Sequence, residues 1–125
     1  MMSVEEEKTR LWEIEDIDIH FGSELPTEVI TTLKLIGKKW AMPILYSLHD
    51  KNLGFSDLKR HIGNNKISSN MLSRALDELK HFNLLEKRII SESPIRVEYS
   101  LTIYGSDLCD LCLALGAFGQ KYLQH

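Results

Sequence analysis

The sequence predicts a mainly α-helical domain with one small β-hairpin, an α+β arrangement. Three observations predict it. From Pro26 onward, apolar residues recur at helical spacing in separate segments, most of them bounded by a capping residue or a glycine. One stretch, Arg96 to Leu101, alternates in the way a half-buried strand does. With 125 residues, 43% of them hydrophobic, the chain can bury a single core.

The elements follow in order. Residues 1–24 form an acidic arm, and LWEIEDIDIHF within it fits neither period: Trp12, Ile14, Ile17, Ile19 and Phe21 alternate with a slip at Asp16. Its apolar content predicts packing against a partner subunit; a fold-back of its acids onto a basic face is the alternative. The domain proper is expected over residues 25–125. Pro26 suits a helix start, and Val29, Leu33 and Ile36 lead to Gly37 as a C-cap. A second helix is expected over Trp40 to Leu48, with Pro43 in its first turn, where a missing N–H matters least. Ser56 would cap a short helix, Asp57 to Ile62. Gly63-Asn64-Asn65 then breaks the chain, and Ser68 caps the helix that Asn83 ends in a left-handed conformation.

Two strands, Leu84 to Ser91 and Arg96 to Leu101, are joined by Glu92-Ser93-Pro94-Ile95, with Pro94 at the tip. Thr102 opens a long last helix. Its apolar positions Leu108, Leu111, Cys112, Leu115, Phe118 and Tyr122 make a stripe wider than a lone surface helix needs, and they are the expected dimer interface. A short helix, a tight polar turn and a longer helix form a helix-turn-helix; the trailing ribbon makes it a winged helix-turn-helix.

The segment KISSNMLSRALDELKHF carries the functional expectation. At 100° per residue, Leu72, Ala75, Leu76, Leu79 and Phe82 gather on one side. Asn70, Ser73, Arg74 and Asp77 gather on the other, with Ser69 at the edge. A solvated face is more often Glu and Lys, which favour helix over Ser and Asn. Asn and Arg instead pair with purine edges, and Ser donates or accepts. Ser69, Asn70, Ser73 and Arg74 are therefore the candidate base readers in double-stranded DNA. Lys59, Arg60, Lys66, Arg88 and Arg96 are candidates for phosphate or wing contacts.

Charge agrees once it is read along the chain. The net charge is -3, but residues 1–24 hold eight acids against two bases, and residues 34–96 hold twelve bases against six acids.

These residues also resemble a family. LKLIGKKWAMPIL, GFSDLKRHIG, ISSNMLSRALDELKHFNLLEKR and SPIRVEYSLTIYG look like HxlR-type winged helix-turn-helix regulators. The most specific match is Pro94, Arg96 to Tyr99, Leu101, Thr102 and Gly105. The resemblance implies a homodimeric transcription factor on an inverted-repeat operator, dimerised through its terminal helices; repression is expected in preference to activation. It implies too that the helix from Ser68 enters the major groove and that the hairpin tip touches the adjacent minor groove or backbone. Many members begin the domain with Cys-Pro, in some a sensing cysteine; here the pair is Leu25-Pro26. Ala75 and Asp77 stand where basic residues are common.

Other chemistries have little to rest on. Cys109 and Cys112 form a C-x-x-C on positions that read as apolar helix, so packing is the expectation and an intersubunit redox switch the alternative. His20, His49, His61, His81 and His125 are scattered without metal-ligand spacing. No nucleophile constellation or phosphate loop is recognisable, so neither enzyme activity, cofactor nor metal is expected. With two cysteines, no signal-like leader and no apolar run near the roughly 20 residues a bilayer demands, a cytoplasmic location without membrane contact is expected. A winged-helix module that binds protein rather than DNA is the alternative function. Trp40 and Tyr99 are expected in the core.

Overall fold

The computed structural model describes residues 25–123. The acidic arm and its two packing alternatives lie outside those residues. The chain divides between Met42 and Pro43 into two compact units.

In the first unit, α1 spans Thr27–Ile36, with Pro26 at its N-cap and Gly37 at its C-cap. Pro26 contributes no side-chain cap, but its carbonyl accepts from the Val29 N–H at 3.0 Å. Gly37 keeps a right-handed conformation and donates its N–H to the Leu33 carbonyl. The Lys39 ammonium lies 5.2 Å from the Trp40 ring centroid. Trp40, expected in the core, is half-buried.

Helix α2, Ala41–Ser47, crosses the division and is one residue shorter at each end than its sequence suggests. In the second unit follow α3 (Phe55–Ile62), α4 (Ser69–His81), β1 (Leu85–Glu92), β2 (Ile95–Leu101) and α5 (Ile103–Tyr122). The core is aliphatic: Ile44, Leu45 and Leu48 from α2, Leu58 from α3, Ile67 from the turn, Leu72, Leu76 and Leu79 from α4. Leu84, Leu85, Leu108 and Cys109 complete it.

Helix α3 begins at Phe55, so Ser56 lies inside its first turn and caps nothing. The N-cap is Gly54, extended at φ -77°, ψ 174°. A tertiary contact chooses that start: Leu53 pairs with Tyr99 through N–H to carbonyl bonds of 3.2 and 2.8 Å. This bridge makes Leu53 a short third rung on the hairpin and anchors the entrance of α3 to the wing.

The hairpin is antiparallel, with Leu85 opposite Leu101, Arg88 opposite Glu98 and Ile89 opposite Val97. The ladder runs to Glu92 opposite Ile95, so the turn is the pair Ser93-Pro94, whose peptide bond is cis. Ile90 is an extra residue between Ile89 and Ser91, a bulge. It explains why the first strand alternates poorly. Ser100 is buried at the base of the hairpin and hydrogen-bonds Glu86.

Helix α5 is capped by Thr102, whose hydroxyl accepts from the Gly105 N–H at 3.1 Å and donates to the Asn83 carbonyl at 2.6 Å. Gly105 is required by packing. A Cβ there would lie 1.9 Å from the Leu84 carbonyl oxygen, far inside contact distance.

Candidate nucleic-acid interface

The helix-turn-helix is held from both ends. Gly63 closes α3 at φ 125°, where glycine carries no penalty, and its N–H reaches the Lys59 carbonyl at 2.9 Å. Lys66 donates its N–H back to the Gly63 carbonyl and lays its side-chain stem against Gly63. Ile67, 2% exposed, pins the turn into the core. Ser68 then caps α4, accepting from the Met71 N–H at 3.1 Å. At the far end Asn83 takes φ 62°, and the bonds Leu84 N–H to Leu79 and Asn83 N–H to Lys80 close the helix in a Schellman pattern.

Between these ends α4 has two unlike faces. Leu72, Leu76 and Leu79 are buried, with Ala75 and Phe82 half-buried beside them. Ser69, Asn70, Ser73, Arg74 and Asp77 are all exposed on the other side. From Asn70 to Asp77 the stripe rises about 10 Å at 1.5 Å per residue, near three base-pair steps of duplex.

The basic residues divide into two groups. Arg60 pairs with Asp57, Nη2 to Oδ1 at 2.5 Å, three residues back along α3. Lys59 Nζ donates to the Asn64 carbonyl at 3.3 Å, helping to fasten the turn. These two cations have intramolecular duties that the sequence reading missed, although the i,i+3 spacing of Asp57 and Arg60 was visible. Lys66, Arg88 and Arg96 are exposed. Arg88 and Arg96 share one face of the hairpin with Glu98, which stands opposite Arg88, so charge there is partly balanced.

Two further features were missed. His61 Nδ1 lies 3.0 Å from Ser47 Oγ, whose own O–H donates to the Pro43 carbonyl at 2.7 Å. With that proton committed, Ser47 accepts and His61 Nδ1 carries the hydrogen. This bond ties α3 to α2. The hairpin tip is apolar: Ile89, Ile90 and Ile95 are 66%, 49% and 73% exposed. The adjacent isoleucines that spoiled the strand pattern were its signal.

Tyr99 is half-buried. Burial pushes its phenol up, and the Asp77 carboxylate adds to the shift, so the hydroxyl stays neutral.

On α5, Leu108 and Cys109 are buried and Cys112 is half-buried, whereas Leu111, Leu115, Phe118 and Tyr122 are exposed. Exposed Tyr104 lies two turns before Leu111 on the same side. Burial raises both thiols, and for Cys109 the neighbouring Cys112 and Asp110 raise it further. At neutral pH the thiolate needed for attack is correspondingly scarce. Among the described residues no cluster of metal-ligating side chains occurs, and no helix is long and apolar enough to cross a membrane.

A helix fixed in the core, a pinned turn, a second helix with an open polar face and a hairpin beyond it define a winged helix-turn-helix DNA-binding regulator. Residues 35–125 match the HxlR-like helix-turn-helix family, and the chain belongs to that family. It is 39% identical over 90 residues to an uncharacterized HTH-type transcriptional regulator of Methanothermobacter thermautotrophicus, covering 72% of this chain and 67% of that protein. It is 42% identical over 81 residues to the uncharacterized HTH-type transcriptional regulator YdzF of Bacillus subtilis, 64% of this chain and 72% of that one. Among solved structures, the reduced form of the transcriptional regulator YodB from B. subtilis is similar with a TM-score of 0.72 and 26% identity, over 78% of this chain and 94% of that chain. The chain is thus a transcriptional regulator and not an enzyme.

Proposed function

We propose that this regulator binds an inverted-repeat operator as a homodimer in the cytoplasm and represses transcription from it. The observation that carries the reading is the outer face of α4, where Ser69, Asn70, Ser73 and Arg74 are exposed opposite a buried leucine ridge. Arg74 pairs with guanine, Asn70 with adenine, and the serines adapt to either. Lys66, Arg88 and Arg96 meet phosphates or the minor groove, while Lys59 and Arg60 chiefly hold the turn and α3.

The exposed column Tyr104, Leu111, Leu115, Phe118 and Tyr122 supports dimerisation through α5. Apolar side chains repeated at spacings of seven, four, three and four residues along one helix face call for a covering surface, and a second α5 supplies one with the same pattern. The protonated thiols, Cys109 buried and Cys112 half-buried, favour a packing role over a redox switch.

Selection of genomic fragments by the purified chain at moderate salt, followed by sequencing, tests the reading. An enriched inverted repeat with half-site centres about one helical turn, or a multiple of it, apart is expected. A second reading, a protein-binding module on this scaffold, is favoured by the paired Arg60 and the balanced hairpin charges. In that case a folded chain enriches no sequence, and its weak DNA binding lacks the steep loss with salt that several phosphate contacts impose.

A further inference from the structure

The outer face of α4 carries two opposite charges three residues apart, Arg74 and Asp77, both exposed. In α3 the same spacing gives the closed Asp57–Arg60 pair. Among the described residues Arg74 and Asp77 form no such pair. The acid precedes the base in α3, and the order is reversed in α4.

Asp77 sits in the second half of Ser69–His81, ahead of the last turn that holds Lys80 and His81. Beside a duplex it would repel phosphates. A carboxylate exposed on the stripe that faces DNA, where phosphates repel it, needs a donor to face. In the major groove only two base groups donate, the N4 amino group of cytosine and the N6 amino group of adenine. Adenine presents its N7 acceptor next to that donor, which opposes a carboxylate; cytosine presents the amino group alone. The nearby Tyr99 phenol stays neutral, so no second negative charge crowds the position.

We propose that Asp77 is a specificity-determining residue, accepting a hydrogen bond from the N4 amino group of one cytosine in each half-site. The proposal rests on α4 being the reading helix. Arg74, one turn earlier on the same stripe, then addresses a neighbouring base pair, and the unpaired state of both residues leaves each available to DNA.

The test is selection from a random duplex library by the full chain and by its Asp77→Asn and Asp77→Ala variants, with thermal unfolding of all three. The unaltered chain is expected to prefer cytosine at one position per half-site by roughly 10-fold or more. Asp77→Asn moves that preference to adenine, because an amide pairs with the adenine N6 and N7 edge. Asp77→Ala accepts all four bases there within about 3-fold and keeps the rest of the motif. One unchanged motif in all three proteins, bound uniformly more tightly by the variants, overturns the proposal and leaves Asp77 as a simple repulsive charge. Uniformly weaker binding with a lowered unfolding midpoint also overturns it, by assigning a structural role. If the unaltered, folded chain enriches no motif, α4 itself is no reader of bases, and the failure lies with the broader function.

Discussion

The two helices of the helix-turn-helix differ less in sequence than in what their polar side chains do. On α3, Arg60 is closed on Asp57, Lys59 on the Asn64 carbonyl and His61 on Ser47. On α4, the corresponding face holds Ser69, Asn70, Ser73, Arg74 and Asp77 exposed, and only Ser68, at the cap, is engaged with the backbone. The difference is one of engaged against open polar groups. A helix whose hydrogen bonds are satisfied internally serves as a strut; one whose donors and acceptors are left open has them to offer a ligand.

The sharpest way to break that comparison is across α4 itself. Leu72→Ala or Leu76→Ala, on the buried face, should lower stability by about 2–5 kcal/mol in urea or thermal unfolding. Arg74→Ala, on the open face, should leave stability within about 0.5 kcal/mol. It should instead cost about 1–3 kcal/mol of affinity for the preferred operator and relax one position per half-site, whereas Lys66→Ala weakens all duplexes alike. Equal losses on every sequence for both variants would erase the distinction between base and phosphate contacts.

Ser68→Ala removes the hydroxyl that accepts from Met71 and should cost about 1 kcal/mol of stability. The smallest effect is expected at the Asp57–Arg60 pair. Both side chains are well exposed, at 60% and 68%, so Asp57→Ala should change stability by no more than about 0.5 kcal/mol. Because it frees Arg60, binding to any duplex at low salt should tighten slightly. No change there would show that Arg60 lies away from the DNA path.

Much of this architecture was legible because local chemistry and tertiary packing agree. Ser68 and Thr102 cap as their side chains allow, Asn83 takes the left-handed turn, and the leucine ridge of α4 faces inward as its spacing requires. Reading failed where a distant contact overrides a local preference. Ser56 is a better capping residue than Gly54, yet beside the bridge between Leu53 and Tyr99 the helix starts two residues earlier, at Phe55. The hairpin ladder continues past the expected turn, because the Ile90 bulge resets its register. The role of Lys59 depends on where the turn places the Asn64 carbonyl, which no spacing rule reveals. Of the candidate interface, the open face of α4 could be read directly; the sorting of the cations could not.

The Leu84 carbonyl oxygen accepts from the Thr102 N–H at 3.1 Å and leaves no room for a side chain at Gly105, while Thr102 also holds the Asn83 carbonyl. The end of α4 and the start of α5 are therefore joined by a backbone bond, by the Thr102 hydroxyl and by a close approach that only glycine permits. If two copies meet along α5, that junction makes each protomer one leg of a caliper. Substitutions along the exposed column would alter how firmly the legs are joined, but the span from one α4 to the other would change only if the junction at Gly105 were rebuilt.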